Sequence, residues 1–502
     1  MVVLKEGSAP QAYVLGDPAL EKVIGLISAG SFIVISGHPG AGKTTFSAKL
    51  IYENVRTLGV RALYISFAET FNKFAKQMKR LGMDFESLVK SGHFEFIHLP
   101  TISGFEAAER VVNLIVRKHE EGFRIFVVDP ITVLLEQISD PAKMRSLLHG
   151  VLYDLVTRSG SLLIAIADLP RGKKQVDLGG LEFVADGVFV MKTKLERGML
   201  MRVMEVRKLR GNPIPLAEIP FTIVDGYGPK FQPFVPPEEI PASKHFEFLP
   251  TSCSLLDEAW GGVPLGGSVA IVYPAGANVP SSLLALIAKF LLTHGLETAI
   301  VSFEMAPDIL LLALERAASM FGIPDSDKLR TLVIAKKSFN PTAYSTYELL
   351  GNVLALVEQS QPKVLLLHGL TTLVRIYGSK RFTEFMYNLW LYLKSMMVTT
   401  FKLAEYRFET RVGVDQIVSL CGDVAVFSDI VHVVIPKFEG TTFQMLHVIW
   451  KSLPGYVVGS RAMDKPIVVS DELLSHVCLG SYVSTRQGFS QRGTVLRGAS
   501  LV

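Results

Sequence analysis

A long internal repeat constrains this chain more than any other feature. Ser66-Phe67 recurs as Ser302-Phe303 at an offset of 236, each pair after an apolar run, Leu63–Ile65 and Ala299–Val301. Asn113 and Asn352 stand 239 apart, as do the runs Arg124–Asp129 and Lys363–His368. Val184–Asp186 matches Phe427–Asp429, and Lys208 matches Lys451, both at 243. The offset drifts in one direction, as small loop insertions produce. An ordered series of this kind calls for two copies of one domain. Between them, residues 232–244 hold four prolines, which neither a helix nor a central strand accommodates. The expected organisation is a first domain over 1–232, an extended linker over 233–244 and a second domain over 245–484. A Gly/Ser-rich tail with Arg486, Arg492 and Arg497 then runs over 485–502.

Within the first copy, apolar runs alternate with helical patterns. The runs are Phe32–Ser36, Ala62–Phe67, Ile125–Val128, Leu162–Ala167 and Gly187–Met191. Runs that are apolar throughout, without a polar face, mark strands covered on both sides. Phe105–Lys118 places Ala108, Val111, Val112 and Ile115 at helical spacing. The alternation predicts an α/β fold, two tandem domains each built on a mostly parallel sheet flanked by helices. Met201–Leu209 and the run around Phe221–Val224 read as a late hairpin or meander at one sheet edge.

Composition narrows the class. Hydrophobic residues make up 49% and charged residues 20% of the 502, which excludes intrinsic disorder. No stretch of about 18 apolar residues occurs, and the Leu283–Leu292 run is broken by Lys289, so no membrane span is expected. Met1–Gly16 has no long apolar core of the kind a signal peptide needs. The three cysteines lack CxxC spacing, so the sequence predicts a cytoplasmic protein with neither a disulfide framework nor a metal–thiolate site. A net charge of +4 does not call for a nucleic-acid partner.

Gly37-His-Pro-Gly-Ala-Gly-Lys-Thr44 fits G-x-x-x-x-G-K-[ST] without a mismatch, after a predicted strand and before an amphipathic helix from Thr44 to about Val55. Glycines let the backbone wrap a polyphosphate with its N–H groups turned inward, and the helix amino terminus favours the anion. The nucleotide-contacting set is therefore Gly37, Pro39, Gly40, Ala41, Gly42, Lys43, Thr44 and Thr45. Lys43 is expected at the β- and γ-phosphates, and Thr44 at Mg2+ through its hydroxyl. Asp129 closes the apolar run Ile125–Val128, where α/β sheets bind ligands, and is the second expected Mg2+ site, through water. Glu69 follows another buried strand. From its position alone, it either activates the attacking water or is an acid favourably placed near a helix start.

These residues together resemble the RecA superfamily of motor ATPases, and more closely the KaiC-type ATPases and their archaeal relatives. Phe183–Val188 is similar to that family's late strand, Arg207-Lys208-Leu209-Arg210-Gly211 to its Lys-Leu-Arg motif, and Pro220–Ile223 to its closing Pro-Phe-x-Ile. The resemblance spans the chain as two tandem RecA-like P-loop domains and is far more specific in the first. It implies ring-shaped homo-oligomers, typically hexamers, with ATP held between subunits. It further implies that Glu69 is the catalytic glutamate and that Lys208 and Arg210 act on the neighbouring subunit's γ-phosphate. Family members usually carry paired glutamates where this chain has Ala68-Glu69.

The second copy departs from this pattern at each element. With Gly40 aligned to Gly276, Gly42 falls on Asn278, Lys43 on Val279 and Thr44 on Pro280; Asp129 falls on His368, Glu69 on Met305 and Lys208-Leu-Arg210 on Lys451-Ser-Leu453. Glu304 stands beside Met305, and a satisfied strand-end His368 is the plainer reading of that position. Autokinase activity is not expected, and the second domain reads as a scaffold for assembly or a regulatory partner. The leading functional expectation is Mg2+-dependent ATP hydrolysis in the first domain. Two alternatives stay open: an ATP-dependent switch without turnover, to which Ala68 lends some weight, and a nucleic-acid motor using the basic stretch Arg171-Gly-Lys173-Lys174. Small net charge and the lack of an equivalent basic run in Arg407–Gln416 argue against the motor.

Overall fold

The computed structural model describes residues 10–99, 105–136, 153–169, 181–196, 198–235, 247–275, 279–406, 427–439, 442–451 and 467–479. The first nine residues, the 236–244 part of the expected linker, the basic stretch 171–174, the 407–416 run and the 485–502 tail lie outside them. The chain divides into two compact units, one ending at Val235 and one starting at Pro236.

In the first unit, β1 (Ala12–Tyr13) and β2 (Ile27–Ser28) form a small antiparallel ribbon. The main sheet has nine strands: β3 (Ser31–Gly37), β4 (Arg61–Ser66), β5 (Phe94–His98), β6 (Phe123–Asp129), β7 (Leu162–Asp168), β8 (Gly187–Glu196), β9 (Met199–Leu209), β10 (Glu218–Val224) and β11 (Gly228–Phe231). Their spatial order is β11-β10-β9-β8-β3-β7-β6-β4-β5. The six from β8 to β5 run parallel, and β9 to β11 continue as an antiparallel meander from β8. The period of two along each central strand sends neighbours to opposite faces. Ile33 and Ile35 join one buried cluster with Phe46 and Phe189, whereas Phe32 and Val34 join another with Val111 and Ile115. Strands β6 and β7 divide in the same way. The absence of a polar face in these runs is therefore the signature of helices on both sides.

In the second unit, β12 (Phe248–Leu249) and β13 (Val263–Pro264) form the ribbon. The main sheet comprises β14 (Ser268–Pro274), β15 (Thr298–Ser302), β16 (Val333–Ser338), β17 (Val364–His368), β18 (Thr399–Tyr406), β19 (Ile430–Glu439), β20 (Thr442–Lys451) and β21 (Ile467–Ser470). Its order, β16-β15-β17-β18-β14-β19-β20-β21, is that of the first unit read from β5 to β10. The repeat extends to single hydrogen bonds. Phe67 N donates to Asp129 O at 2.8 Å, and Phe303 N to His368 O at 3.0 Å. Phe32 N donates to Asp186 Oδ2 at 3.0 Å, and Ser268 N to Asp429 Oδ2 at 2.7 Å. A shared Ser-Phe or a strand-leading aspartate thus marks positions that hold the sheet's ends.

Two features of the second unit were not foreseen. Cys253 and Cys478 form a disulfide across 225 residues of chain, which corrects the expectation of unpaired cysteines. Spacing rules find local Cys pairs, and this pair is made by tertiary packing of the helix Asp471–Leu479 beside the helix Ser254–Trp260. Second, Phe46 and Phe189, ring centroids 5.9 Å apart in the first unit, have Ser282 and His432 at their repeat positions. Ser282 donates to Asp471, His447 Nε2 lies 3.0 Å from the same carboxylate, and His447 Nδ1 lies 2.7 Å from His432 Nε2. A largely buried polar chain replaces an aromatic contact there, linked from Ser282 through Asp471 and His447 to His432, whose Nδ1 is left without a hydrogen-bond partner.

Among the described residues no helix is long and apolar enough to cross a membrane. The disulfide makes a direct prediction. Thiol titration of the unfolded, unreduced protein should find one thiol per chain, and three after reduction. Cys478→Ser should lower the stability of the second unit by about 2–4 kcal/mol in denaturant unfolding.

Candidate nucleotide site

Strand β3 carries the chain into the glycine-rich loop between two parallel neighbours. Gly37 pairs with Asp168 of β7 on one side and with Met191 of β8 on the other. A Cβ at Gly37 would stand 2.3 Å from Met191 O, so the backbone passes only because the residue is glycine. Gly40 and Gly42 take φ of 79° and 102°, which a side chain disfavours. A Cβ on Gly40 would meet nothing within 4 Å, so the loop's outer face is open there. Pro39 and Gly40 form the exposed tip, Ala41 is buried, and Ala41 N closes the turn on His38 O at 3.2 Å.

The helix Lys43–Leu58 begins directly after Gly42, with no side chain capping its first turn. Its leading N–H groups lack helical acceptors and, with the dipole, make an anion-binding end. The helix stops at Gly59, whose φ of 65° lets its N–H return to Val55 O. Thr44 and Thr45 sit half-buried on the first turn. Lys43 is buried, and Nζ donates to Gly37 O at 2.9 Å and His38 O at 3.1 Å and pairs with Asp168 Oδ1 at 2.9 Å.

Asp129 ends β6 and is buried, followed by a cis peptide to Pro130. Its Oδ2 accepts from Thr44 Oγ1 at 3.0 Å and from the buried Tyr64 hydroxyl at 2.5 Å. Burial pushes the Asp129 carboxyl above its ordinary range; the two hydrogen bonds and Lys43 oppose this, and the Asp168 charge adds to it. Glu69 follows β4, with its N–H donating to Ser66 Oγ at 3.1 Å. Its largely buried carboxylate lies 3.9 Å from Lys73 Nζ. Burial also raises the Glu69 carboxyl; Lys73 opposes the shift, and Asp129 reinforces it.

Lys43, Thr44, Asp129 and Glu69 therefore lie at the carboxyl-end side of the parallel strands β3, β6 and β4, with β7 between β3 and β6. The hydroxyl of Thr44 and the carboxylate of Asp129 are hard oxygen donors side by side beneath an open loop, a set that suits Mg2+ in company with phosphate oxygens. Lys208 and Arg210 do not join them. In β8 and β9, Met191 pairs with Met204 and Val188 with Lys208, so Lys208 lies roughly 13 Å further along the sheet from the level of Gly37. Lys208 Nζ donates to Glu182 O at 3.4 Å and Phe183 O at 3.3 Å, and Arg210 pairs with Asp186 at 2.8 Å while remaining half exposed. Desolvation, helped by Arg210, lowers the Lys208 ammonium.

Two residues of the site escaped sequence reasoning. Tyr64 lay hidden inside an apolar run, where a phenol reads as core. Asp168 closes the run Leu162–Ala167 in the same way that Asp129 closes its own, and that signal was legible.

The corresponding region of the second unit is built differently. Gly276, Ala277 and Asn278 lie outside the described residues. Val279 is buried, Pro280 takes a non-helical ψ of 134°, and the helix starts only at Ser281. Relative to Lys43 the helix starts two residues later: Val279, the residue before proline, is disfavoured in helical conformation, and Pro280 stands outside the helix as its N-cap. His368 Nδ1 lies 3.2 Å from Ser302 Oγ, and burial lowers the imidazole. Where Thr44 and Asp129 meet, this unit therefore presents proline and a buried histidine.

Removing the Tyr64 hydroxyl should expose its role. Tyr64→Phe should lose about 1.5–3 kcal/mol in denaturant unfolding at neutral pH, the range for a hydrogen bond to a charged group. The loss should shrink when Asp129 is already Asn, as a double-mutant cycle will measure.

Comparison with known proteins agrees with this geometry. The family pattern "ATPase: KaiC" matches residues 16–233. The circadian clock oscillator protein KaiC of Synechococcus elongatus is 24% identical over 210 residues, 40% of either chain. The KaiC of a Picosynechococcus species is 22% identical over 384 residues, covering 75% of this chain and 73% of its own. The circadian clock protein KaiC3 of a Synechocystis species is 26% identical over 215 residues, 41% of this chain and 42% of its own. With the phosphate loop and the strand-end aspartate, residues 16–233 carry a KaiC-type, RecA-superfamily P-loop ATPase domain, and a second sheet of the same topology follows in a chain similar to KaiC proteins over three-quarters of its length.

Proposed function

We propose that the first unit binds ATP with Mg2+ and hydrolyses it at a site completed by a neighbouring copy in a ring-shaped homo-oligomer, a hexamer. The observation that carries this reading is the convergence of Lys43, Thr44 and Asp129 under the open loop, with Thr44 Oγ1 and Asp129 Oδ2 3.0 Å apart. The loop glycines and the amino end of the helix Lys43–Leu58 hold the phosphates through backbone N–H groups. Pro39, Ala41 and Thr45 shape the same loop and first turn. Thr44 and Asp129 hold Mg2+, which neutralises charge on the phosphate oxygens when bound.

Glu69 orients the attacking water and takes its proton. Its environment suits this role, because a carboxylate with a raised pKa is a stronger base. Lys208 and Arg210 lie far along the sheet from their own loop, so a role at a γ-phosphate falls to them on another copy. There they stabilise charge in the transition state. The second unit, with Val279, Pro280 and His368 where the first has Lys43, Thr44 and Asp129, contributes assembly or partner binding rather than turnover or autophosphorylation.

A second reading, an ATP-dependent switch without turnover, draws on Ala68 in place of a paired glutamate and on the Glu69–Lys73 contact. Phosphate release decides between the two. Under hydrolysis, Glu69→Gln should lose about 10²–10⁴-fold in kcat while still binding ATP. Lys208→Ala and Arg210→Ala should each lose on the order of 10³-fold, and mixed rings with Glu69→Gln subunits should regain activity only at mixed interfaces. Equal silence of wild type, Lys43→Ala and Glu69→Gln, with ATP still bound by wild type, establishes the switch.

The pH profile has a defined sign. Glu69 works as a base only when ionised, and both it and Asp129 are shifted upward. Activity should therefore fall on acidification through a pKa above the ordinary carboxylate range, and the part of that limb due to Glu69 should vanish in Glu69→Gln.

A further inference from the structure

The Lys43 ammonium has three N–H donors, and the structure gives all three a partner: Gly37 O, His38 O and Asp168 Oδ1. The two carbonyls belong to the loop itself and shape it around the lysine. Asp168 is different. It comes from β7, it is an anion, and its side chain is half exposed while that of Lys43 is 7% exposed. It thus presents an oxyanion to Lys43 from the solvent side of the loop. The end of β7 is also fastened to the loop. Leu169 N donates to Gly37 O at 3.1 Å, and His38 Nδ1 lies 3.3 Å from Leu169 O.

We propose that Asp168 is an internal competitor for the nucleotide's phosphate: it holds Lys43 in an ion pair that an incoming β-phosphate must displace, and so sets nucleotide affinity. The inference rests on the nucleotide-site reading above. The physical argument is one of exchange. For Lys43 to engage a phosphate, one of its three bonds has to open, and the bond to Asp168 is the one that links two separate elements. After exchange, the backbone ties at Leu169 keep the carboxylate near the phosphates, so its charge opposes the bound anion a second time. In the second unit the repeat position of Asp168 is Glu405, by the pairing Tyr273–Glu405, while Lys43 is replaced by Val279. There the acid lies 3.9 Å from Arg375 instead.

The test is calorimetric titration of the full chain with ADP, without and with Mg2+, beside thermal unfolding of each variant. Asp168→Asn and Asp168→Ala should both bind ADP more tightly, by about tenfold, with the larger gain in the absence of Mg2+. Asp168→Glu should stay near wild type, since it keeps the charge. A merely structural role would weaken binding in all three variants and lower their unfolding temperatures. Wild type binding ADP, with Asp168→Asn and Asp168→Ala no tighter, overturns the inference and leaves the nucleotide site standing. Loss of affinity confined to the Mg2+ titrations would make Asp168 a partner of the metal and would also overturn it. If wild type and Asp168→Asn bind no ADP at millimolar concentration, the nucleotide reading falls and takes the inference with it.

Discussion

The passage of Gly37 between two neighbouring strands governs the rest of the first unit. Its carbonyl accepts from Leu169 N and from Lys43 Nζ, and its missing side chain lets the backbone lie against Met191 O. From that point the chain must turn, and glycines at 40 and 42 permit the turn. The helix that follows can then begin at Lys43, with its amino end facing the loop. Move the strand out of register by one residue and Lys43, Thr44 and Asp129 would no longer meet, because the pleat would send alternate residues to the other face. The site depends on the central sheet in this literal sense.

Buried charge is the second organising constraint. Asp129 sits at the end of an apolar strand, and two hydroxyls on one of its oxygens stabilise its ionised form. Lys43 is equally buried and has its three donors engaged. Such groups are tolerated because each is met by partners of opposite character. They also form a prepared set: the same oxygens and ammonium that satisfy one another are those that phosphate and metal chemistry needs.

The second unit shows the same topology without the lysine, threonine and aspartate of the first. The hydrogen bonds that hold strand ends remain, through Ser302, Phe303 and Asp429, because they belong to the sheet. The helix after the former loop starts two residues later, behind Pro280. Polar groups have instead entered the core as the Ser282–Asp471–His447–His432 chain, and a disulfide ties Cys253 to the last described helix. Sheet architecture and the phosphate-loop residues are thus separable, which is why the repeat persists where Val279, Pro280 and His368 stand in place of Lys43, Thr44 and Asp129.

Much was legible in the residues alone. The ordered repeat, the fully apolar runs and the phosphate-loop spacing determined two α/β copies and placed Lys43, Thr44 and Asp129 at strand ends, because burial on both faces and tight glycine turns leave local marks. Glu69 reads from sequence as either a base for water or an acid near a helix start, and in the structure its carboxyl feels the charges of Lys73 and Asp129. Other features were decided only by tertiary structure. Tyr64 under Asp129, Asp168 against Lys43, the remoteness of Lys208 and Arg210 from their own loop and the pairing of Cys253 with Cys478 all join segments tens to hundreds of residues apart. No local periodicity encodes such contacts; they arise when sheet order and register set one strand beside another.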